Sequence, residues 1–262
     1  MQDIVIVPTY DRPEMLWLCL EHLAAARGGE QVHVWVYVDA HVNQERPPRS
    51  EIIAVAKKFS QLTIDVVFRE PHKYSGNSFN VLSAYMEALQ TDARYVFLVE
   101  DDVMIHPAFF DWHYRQHYGQ RLGCSIAVAK GPRQVYASLG VCFRREMLRM
   151  LVPHCQHAYF VGMREYIRRS FEPKHQKPPL DCEQDGLIAR VLEGHRVVWA
   201  QMPLAQHVGW YGYHRARSAR PRGSLEDRYR QIKHVLSDDR LLRVWSKDFQ
   251  DIVPLQLSAD AR

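Results

Sequence analysis

The sequence has no CxxC pair, no glycine-rich loop behind its first apolar run, no internal repeat and no long apolar window. Each absence removes a class. A membrane span needs roughly 18–20 apolar residues, so a chain that crosses a bilayer is not expected. The five cysteines (Cys19, Cys124, Cys142, Cys155 and Cys182) are odd in number and scattered. A disulfide framework is therefore not expected, and a soluble chain in a reducing cytoplasm is. The "HCQH" segment, with His154, Cys155 and His157, lacks a second ligand pair at zinc spacing. "DIVIVPTY" opens the chain with no basic region ahead of a long apolar stretch, so a signal peptide is not expected. A large excess of one charge is missing too. Lys and Arg number 34 against 30 Asp and Glu, a net +4, which suits an anionic ligand without marking a nucleic-acid binder.

What is present is alternation. Within 262 residues, "DIVIVPTY", "VHVWVYVDA", "TIDVVFRE" and "YVFLVEDD" read as buried strands. Between them, "RPEMLWLCLEHLAAA", "RSEIIAVAKKFSQL" and "NSFNVLSAYMEALQ" read as helices, the first with Pro13 in its first turn and Gly28–Gly29 at its end. Strands alternating with helices predict an α/β fold, a mostly parallel sheet with helices on both faces. Ligands of such sheets bind beyond the carboxyl ends of the strands. Three of those ends are polar: "PTYDR", "VDAH" and "EDD". Further on, "CSIAVAKG" and "ASLGVCFRREMLRML" predict strands leading into a helix, and "CEQDGLIARVLEG" predicts a helix ending at Gly194. "RVVWAQMPLAQHVGWYGYH" reads as one strand entering an aromatic loop, and the arginine-rich tail as part loop, part helix.

The stretch "YVFLVEDDVMIHPAFF" poses the chemical question, because Glu100, Asp101 and Asp102 repel one another at a strand tip. Strand alternation would aim Glu100 and Asp102 one way and Asp101 the other. A divalent cation is one reason for such a cluster, since Mg²⁺ and Mn²⁺ take carboxylates together with substrate phosphates. A solvated turn is the other.

"LVEDDVMIHPAFF" is similar to the acidic metal motif of the GT-A glycosyltransferases, in the EDD form of the N-acetylglucosaminyltransferase I type. "IVPTYDRPEMLWLCLEHL" and "SGNSFNVLSAYMEAL" resemble the opening and pre-motif segments of the family 2 enzymes, so the likeness covers residues 3–110. The resemblance implies a metal-dependent, inverting glycosyltransferase using a nucleoside-diphosphate sugar, a UDP-sugar foremost, with Mn²⁺ or Mg²⁺. Pro8, Thr9, Tyr10 and Arg12 would line the nucleotide pocket, Asp39 would read the base, and Asn80 would belong to the pre-motif helix. Glu100 and Asp101 would lie near ribose and sugar, and Asp102 would bind the metal. The pattern departs after Asp39, where Ala40 and His41 replace a second acid and a serine.

The second acid cluster, "DCEQDG" (Asp181, Glu183, Asp185), opens a helix, where acids also complement the macrodipole. The resemblance implies that this region supplies the general base, Asp185 first and Glu183 second. It also implies His207 at the metal or diphosphate. Trp210, Tyr211 and Tyr213 have flat faces suited to an acceptor sugar or base, or to packing against the tail. Lys130, Arg133, Arg144, Arg145, Arg215, Arg217, Arg220 and Arg222 form either a solvated surface or a site for a polyanionic acceptor. A hydroxymethylated base in phage DNA is one such acceptor, and a cell-surface glycan or small molecule another. A sugar-phosphate nucleotidyltransferase would need the missing glycine loop, and a non-catalytic nucleotide-sugar-binding module would not need both acid clusters. The expected organisation is a nucleotide-sugar-binding half over 1–120, an acceptor-binding and catalytic half of the same domain over 121–218, and a basic helical tail over 219–262.

Overall fold

The structure, a computed structural model, describes residues 2–43, 47–74, 77–131, 134–171, 183–209 and 220–236. Strands β1 (Asp3–Thr9), β2 (Val32–Val38), β3 (Thr63–Phe68) and β4 (Tyr95–Leu98) alternate with helices α1 (Pro13–Ala25), α2 (Arg49–Lys57) and α3 (Ser78–Ala88). There follow β5 (Val103–Ile105), α4 (Phe109–His117), β6 (Cys124–Ile126), β7 (Val141–Arg144), α5 (Arg145–Leu151), α6 (His157–Val161) and α7 (Met163–Phe171). The last described elements are α8 (Gln184–Val191), β8 (Val197–Trp199), β9 (Ala205–His207) and α9 (Leu225–Leu236).

The main sheet has seven strands in the order β3-β2-β1-β4-β7-β6-β8. Strands β1 to β4 pair in parallel, and β6 pairs in parallel with β8, whereas β7 runs antiparallel to both β4 and β6. The mostly parallel α/β sheet is as expected. Val5, Val7, Val34, Val36, Val38 and Phe97 are fully buried, which explains why the central strands read as nearly continuous apolar runs.

Two expectations about elements need correction. The segment read as one strand before the aromatic loop is two, because β8 joins the main sheet while β9 pairs antiparallel with β5 in a separate two-stranded sheet. Pro203 lies between them and cannot donate to a ladder. Helix α2 also stops at Lys57, short of the predicted run.

After α5 come two short helices, α6 and α7. Helix α4 buries Phe109, Phe110, His113 and His117, the spacing of one helical face. It is pinned to β6 by the Ser125 hydroxyl, 2.6 Å from His113 Nδ1 and 2.9 Å from His117 Nε2. Burial moves both imidazoles below their ordinary range, His117 to about 4. Among the described residues, no helix is long and apolar enough to cross a membrane.

The small sheet sits close on the main one at Gly140, which adopts φ +63° at the start of β7. A Cβ there would meet the Ala205 Cβ at 2.8 Å and the Phe109 ring at 3.0 Å. Only glycine satisfies both the left-handed backbone and this approach. The contact sets where β9, and with it His207, rests.

Candidate active site

Strand β4 stops at Leu98, and the three acids follow in a turn closed by the Val103 amide on the Glu100 carbonyl at 3.0 Å. The alternation expected of a strand therefore does not reach the tip. Asp101 and Asp102 both meet one cation, Arg12, whose Nη1 lies 2.9 Å from Asp102 Oδ2 and whose Nη2 pairs with Asp101 Oδ1. Thr9, the last residue of β1, donates its hydroxyl to Asp101 Oδ2 at 2.7 Å. Because β1 and β4 are parallel neighbours, the "PTYDR" and "EDD" segments emerge side by side. Pro13 starts α1 directly after Arg12, so the positive end of that helix begins at the residue that clamps the acids.

His207 arrives through the small sheet. It pairs with Val103 in the β5–β9 register, and the Val208 amide bonds the Asp102 carbonyl at 2.8 Å. This register brings His207 Nε2 to 3.2 Å from Asp102 Oδ2. Glu100, Asp102 and His207 each offer a ligand atom, all within 4.8 Å of one another.

The electrostatics follow from burial and crowding. Burial drives Glu100 well above the usual carboxylate range, and Asp102, Asp185 and Asp101 add to this against Arg12. Burial also lifts Asp101, to about 6, although Arg12 pulls it down. Burial acts upward on Asp102 too, but His207 and Arg12 outweigh it and hold that carboxyl well below its ordinary value. The Arg12 guanidinium is disfavoured by burial, yet Asp101, Asp102 and Glu100 raise it above its normal value. The acids exceed the cations here, an imbalance that a divalent ion suits.

The surroundings fit such an ion. Two carboxylates and an imidazole suit Mn²⁺ or Mg²⁺. A Cβ on Gly209 would lie 2.6 Å from His207 Nε2 and 2.8 Å from Asp102 Oδ2, so glycine is what keeps that side of the cluster open.

Asp185, in the first turn of α8, accepts the Ser138 hydroxyl proton on Oδ1. Gln184 donates its side-chain amide to the same hydroxyl at 3.4 Å and its backbone amide to Ser78 Oγ at 3.1 Å. The Asp185 charge is one of those that raise Glu100. Glu183 precedes the helix and is exposed.

Asp39 directly follows β2 and sends its amide hydrogen to the Thr9 carbonyl at 2.9 Å. Tyr10 is half-buried and Pro8 buried beside it. Asn80 is fully buried, with its Nδ2 on the Tyr37 carbonyl at 2.9 Å and its Oδ1 accepting from Arg69 at 3.1 Å. Its amide braces β2 from behind.

Arg144 pairs with Tyr95 at the start of β4, and Arg145 donates to the Leu89 carbonyl at 2.7 Å, so both lie at the end of the sheet opposite the acids. Arg220 is ion-paired with Asp11 at 3.1 Å. Trp210, Tyr211, Tyr213, Asp181, Arg133, Arg215 and Arg217 lie outside the described residues.

Three residues were missed by sequence reasoning. His72 bonds Asp39 and stands beyond the carboxyl end of β3, so a fourth polar strand end, "FREPHKY", was the available signal. Ser138 and Gly209 had no comparable signal, because their roles depend on contacts with distant segments.

No protein-family model matches the chain, and no curated protein does. Solved structures do match. The chain is similar to S. aureus TarS 1-349 with a TM-score of 0.52 and 13% identity, over 80% of this chain and 61% of that one. To TarS 1-349 in complex with UDP-GlcNAc the TM-score is 0.55 at 14% identity, over 94% of this chain and 71% of that one. To an active-site mutant of LgtC it is 0.54 at 12% identity, over 88% of this chain and 95% of that one. At these identities the likeness is one of fold. The chain shares the GT-A fold of these structures.

Proposed function

We propose that the chain is a metal-dependent, inverting glycosyltransferase that moves a sugar from a nucleoside-diphosphate sugar to an acceptor hydroxyl. The observation that carries the reading is the convergence of Glu100, Asp102 and His207 at the carboxyl edge of a GT-A sheet. The UDP-GlcNAc bound to TarS, a protein of like fold, supports a UDP-sugar donor. Spacing supports it too. Asp39 just past β2 and the acids just past β4 flank the end of β1, so two interstrand steps of about 4.8 Å separate a base reader from a diphosphate site.

In the reaction, an acceptor oxygen attacks the anomeric carbon from the face opposite the nucleotide. The bond from that carbon to the diphosphate breaks, and the diphosphate leaves with the electron pair. Asp185 takes the acceptor proton, oriented by Ser138 and Gln184. Glu100, Asp102 and His207 would hold Mn²⁺ or Mg²⁺, which supplies positive charge to the departing diphosphate. Arg12 holds Asp101 and Asp102 in place. The acceptor is a hydroxyl compound; of the arginines behind the DNA expectation, Arg220 is tied to the "PTYDR" segment through Asp11.

Thermal unfolding with UDP, with and without Mn²⁺, tests the assignment. Ligand at 100 times its Kd stabilises by about 2.7 kcal/mol. The expected result is a UDP-dependent shift that EDTA removes and Asp102→Asn abolishes. An equal shift in EDTA, for wild type and variant alike, would take the metal out of the mechanism.

A further inference from the structure

Asp39 is held in an unusual way for a residue at a ligand rim. Its Oδ1 accepts two hydrogen bonds, from His72 Nε2 at 2.7 Å and from the Ala40 amide at 3.0 Å. Its Oδ2 accepts none from a described residue, and the side chain keeps 15% of its surface exposed. One oxygen is committed to the protein and the other is left for a ligand.

His72 is itself fixed. Its backbone amide bonds the Ala40 carbonyl at 3.0 Å, and its carbonyl accepts from Val42 at 3.0 Å. Its ring lies 4.5 Å from that of Phe79 and 5.8 Å from that of Tyr74. Those two rings pack in turn on Phe160 at 5.2 and 5.3 Å. The imidazole cannot swing away without breaking this stack. Against a carboxylate at 2.7 Å, Nε2 must carry the hydrogen.

We propose that His72 is a positioning residue that turns Asp39 into a one-sided acceptor and thereby sets the base preference of the nucleotide site. The proposal rests on the nucleotide-sugar reading of that site. At neutral pH an aspartate offers only lone pairs, and with Oδ1 occupied only Oδ2 faces the base. A base with a ring N–H at its pairing edge, uracil above all, completes the hydrogen bond. Cytosine turns a ring nitrogen lone pair to the same point, which leaves two acceptors facing each other.

Titrating the full chain with UDP and with CDP, in Mn²⁺, tests this. Wild type should bind UDP about 10-fold or more tightly than CDP, in line with the discrimination one paired base edge gives. His72→Phe keeps the ring stack and removes the donor, so the ratio should fall to about 3-fold or less, chiefly through weaker UDP binding. His72→Gln, which returns an N–H, should recover most of the preference. Asp39→Asn, able to offer an N–H to cytosine, should shift the ratio toward CDP, and it carries the test if His72→Phe does not fold. A UDP preference unchanged in His72→Phe, or in Asp39→Asn, overturns the proposal and leaves the site reading intact. Wild type that binds neither nucleotide overturns the site reading itself.

Discussion

The two acid clusters of this site are built differently. Asp101 and Asp102 are 2% and 6% exposed and are held by Thr9 and Arg12 of one segment and His207 of another. Asp185 is half-buried, sits on a helix that sets its direction, and takes a hydrogen bond from a neutral hydroxyl. The first arrangement is suited to concentrating charge, because cations stabilise the ionised form at fixed positions. The second suits a group that must change protonation during a reaction, because a neutral donor favours the ionised form less strongly than a guanidinium does. Crowded carboxylates are thus sorted by the charge of what touches them.

The sharpest test of this contrast is chemical. Asp185→Asn should lower the rate of transfer by about 10²–10⁴-fold while leaving UDP affinity within a factor of a few. Glu183→Gln should have less effect, and the product should carry the inverted anomeric configuration. Normal turnover by Asp185→Asn, measured under saturating donor, would reduce this carboxylate to a first-turn acid of α8.

A thermodynamic effect comes next. Arg12 neutralises two buried carboxylates, and removing one partner of a buried ion pair costs about 3–5 kcal/mol. Arg12→Ala should lose stability of that order in urea, and Mn²⁺ should restore part of it by supplying the missing positive charge. A loss below about 1 kcal/mol, or no rescue by metal, would break the claim that the first cluster is built around charge.

Ser138→Ala should give the smallest change. One hydrogen bond contributes about 1 kcal/mol, so the rate should fall by roughly 10-fold or less with donor affinity unmoved. A drop as deep as that of Asp185→Asn would make Ser138 a partner in proton transfer, and the two clusters would differ less than their contacts suggest.

Much of this protein could be read in one dimension. Buried valines and isoleucines in β1 and β2, and Pro13 at the first turn of α1, are local signals that fix element type and order, and parallel pairing follows from their alternation. That order was enough to put "PTYDR", "VDAH" and "EDD" on one rim. It was not enough to assign their partners. The helix α4 and the split between β8 and β9 also escaped, because a three-residue strand carries too little pattern to show.

By itself, then, the sequence determined the alternating α/β arrangement and the presence of acids at the sheet's carboxyl edge, and its resemblance pointed to GT-A. Only the tertiary structure decided that Arg12 would clamp Asp101 and Asp102, that β9 would deliver His207, and that His72 would pin Asp39. The Thr9–Asp101 bond joins residues 92 positions apart, and the His72–Asp39 pair joins residues 33 apart. Periodicity governs which face a side chain takes within its own segment. Which segment it then meets depends on sheet order and register, and these are set by the packing of the whole core.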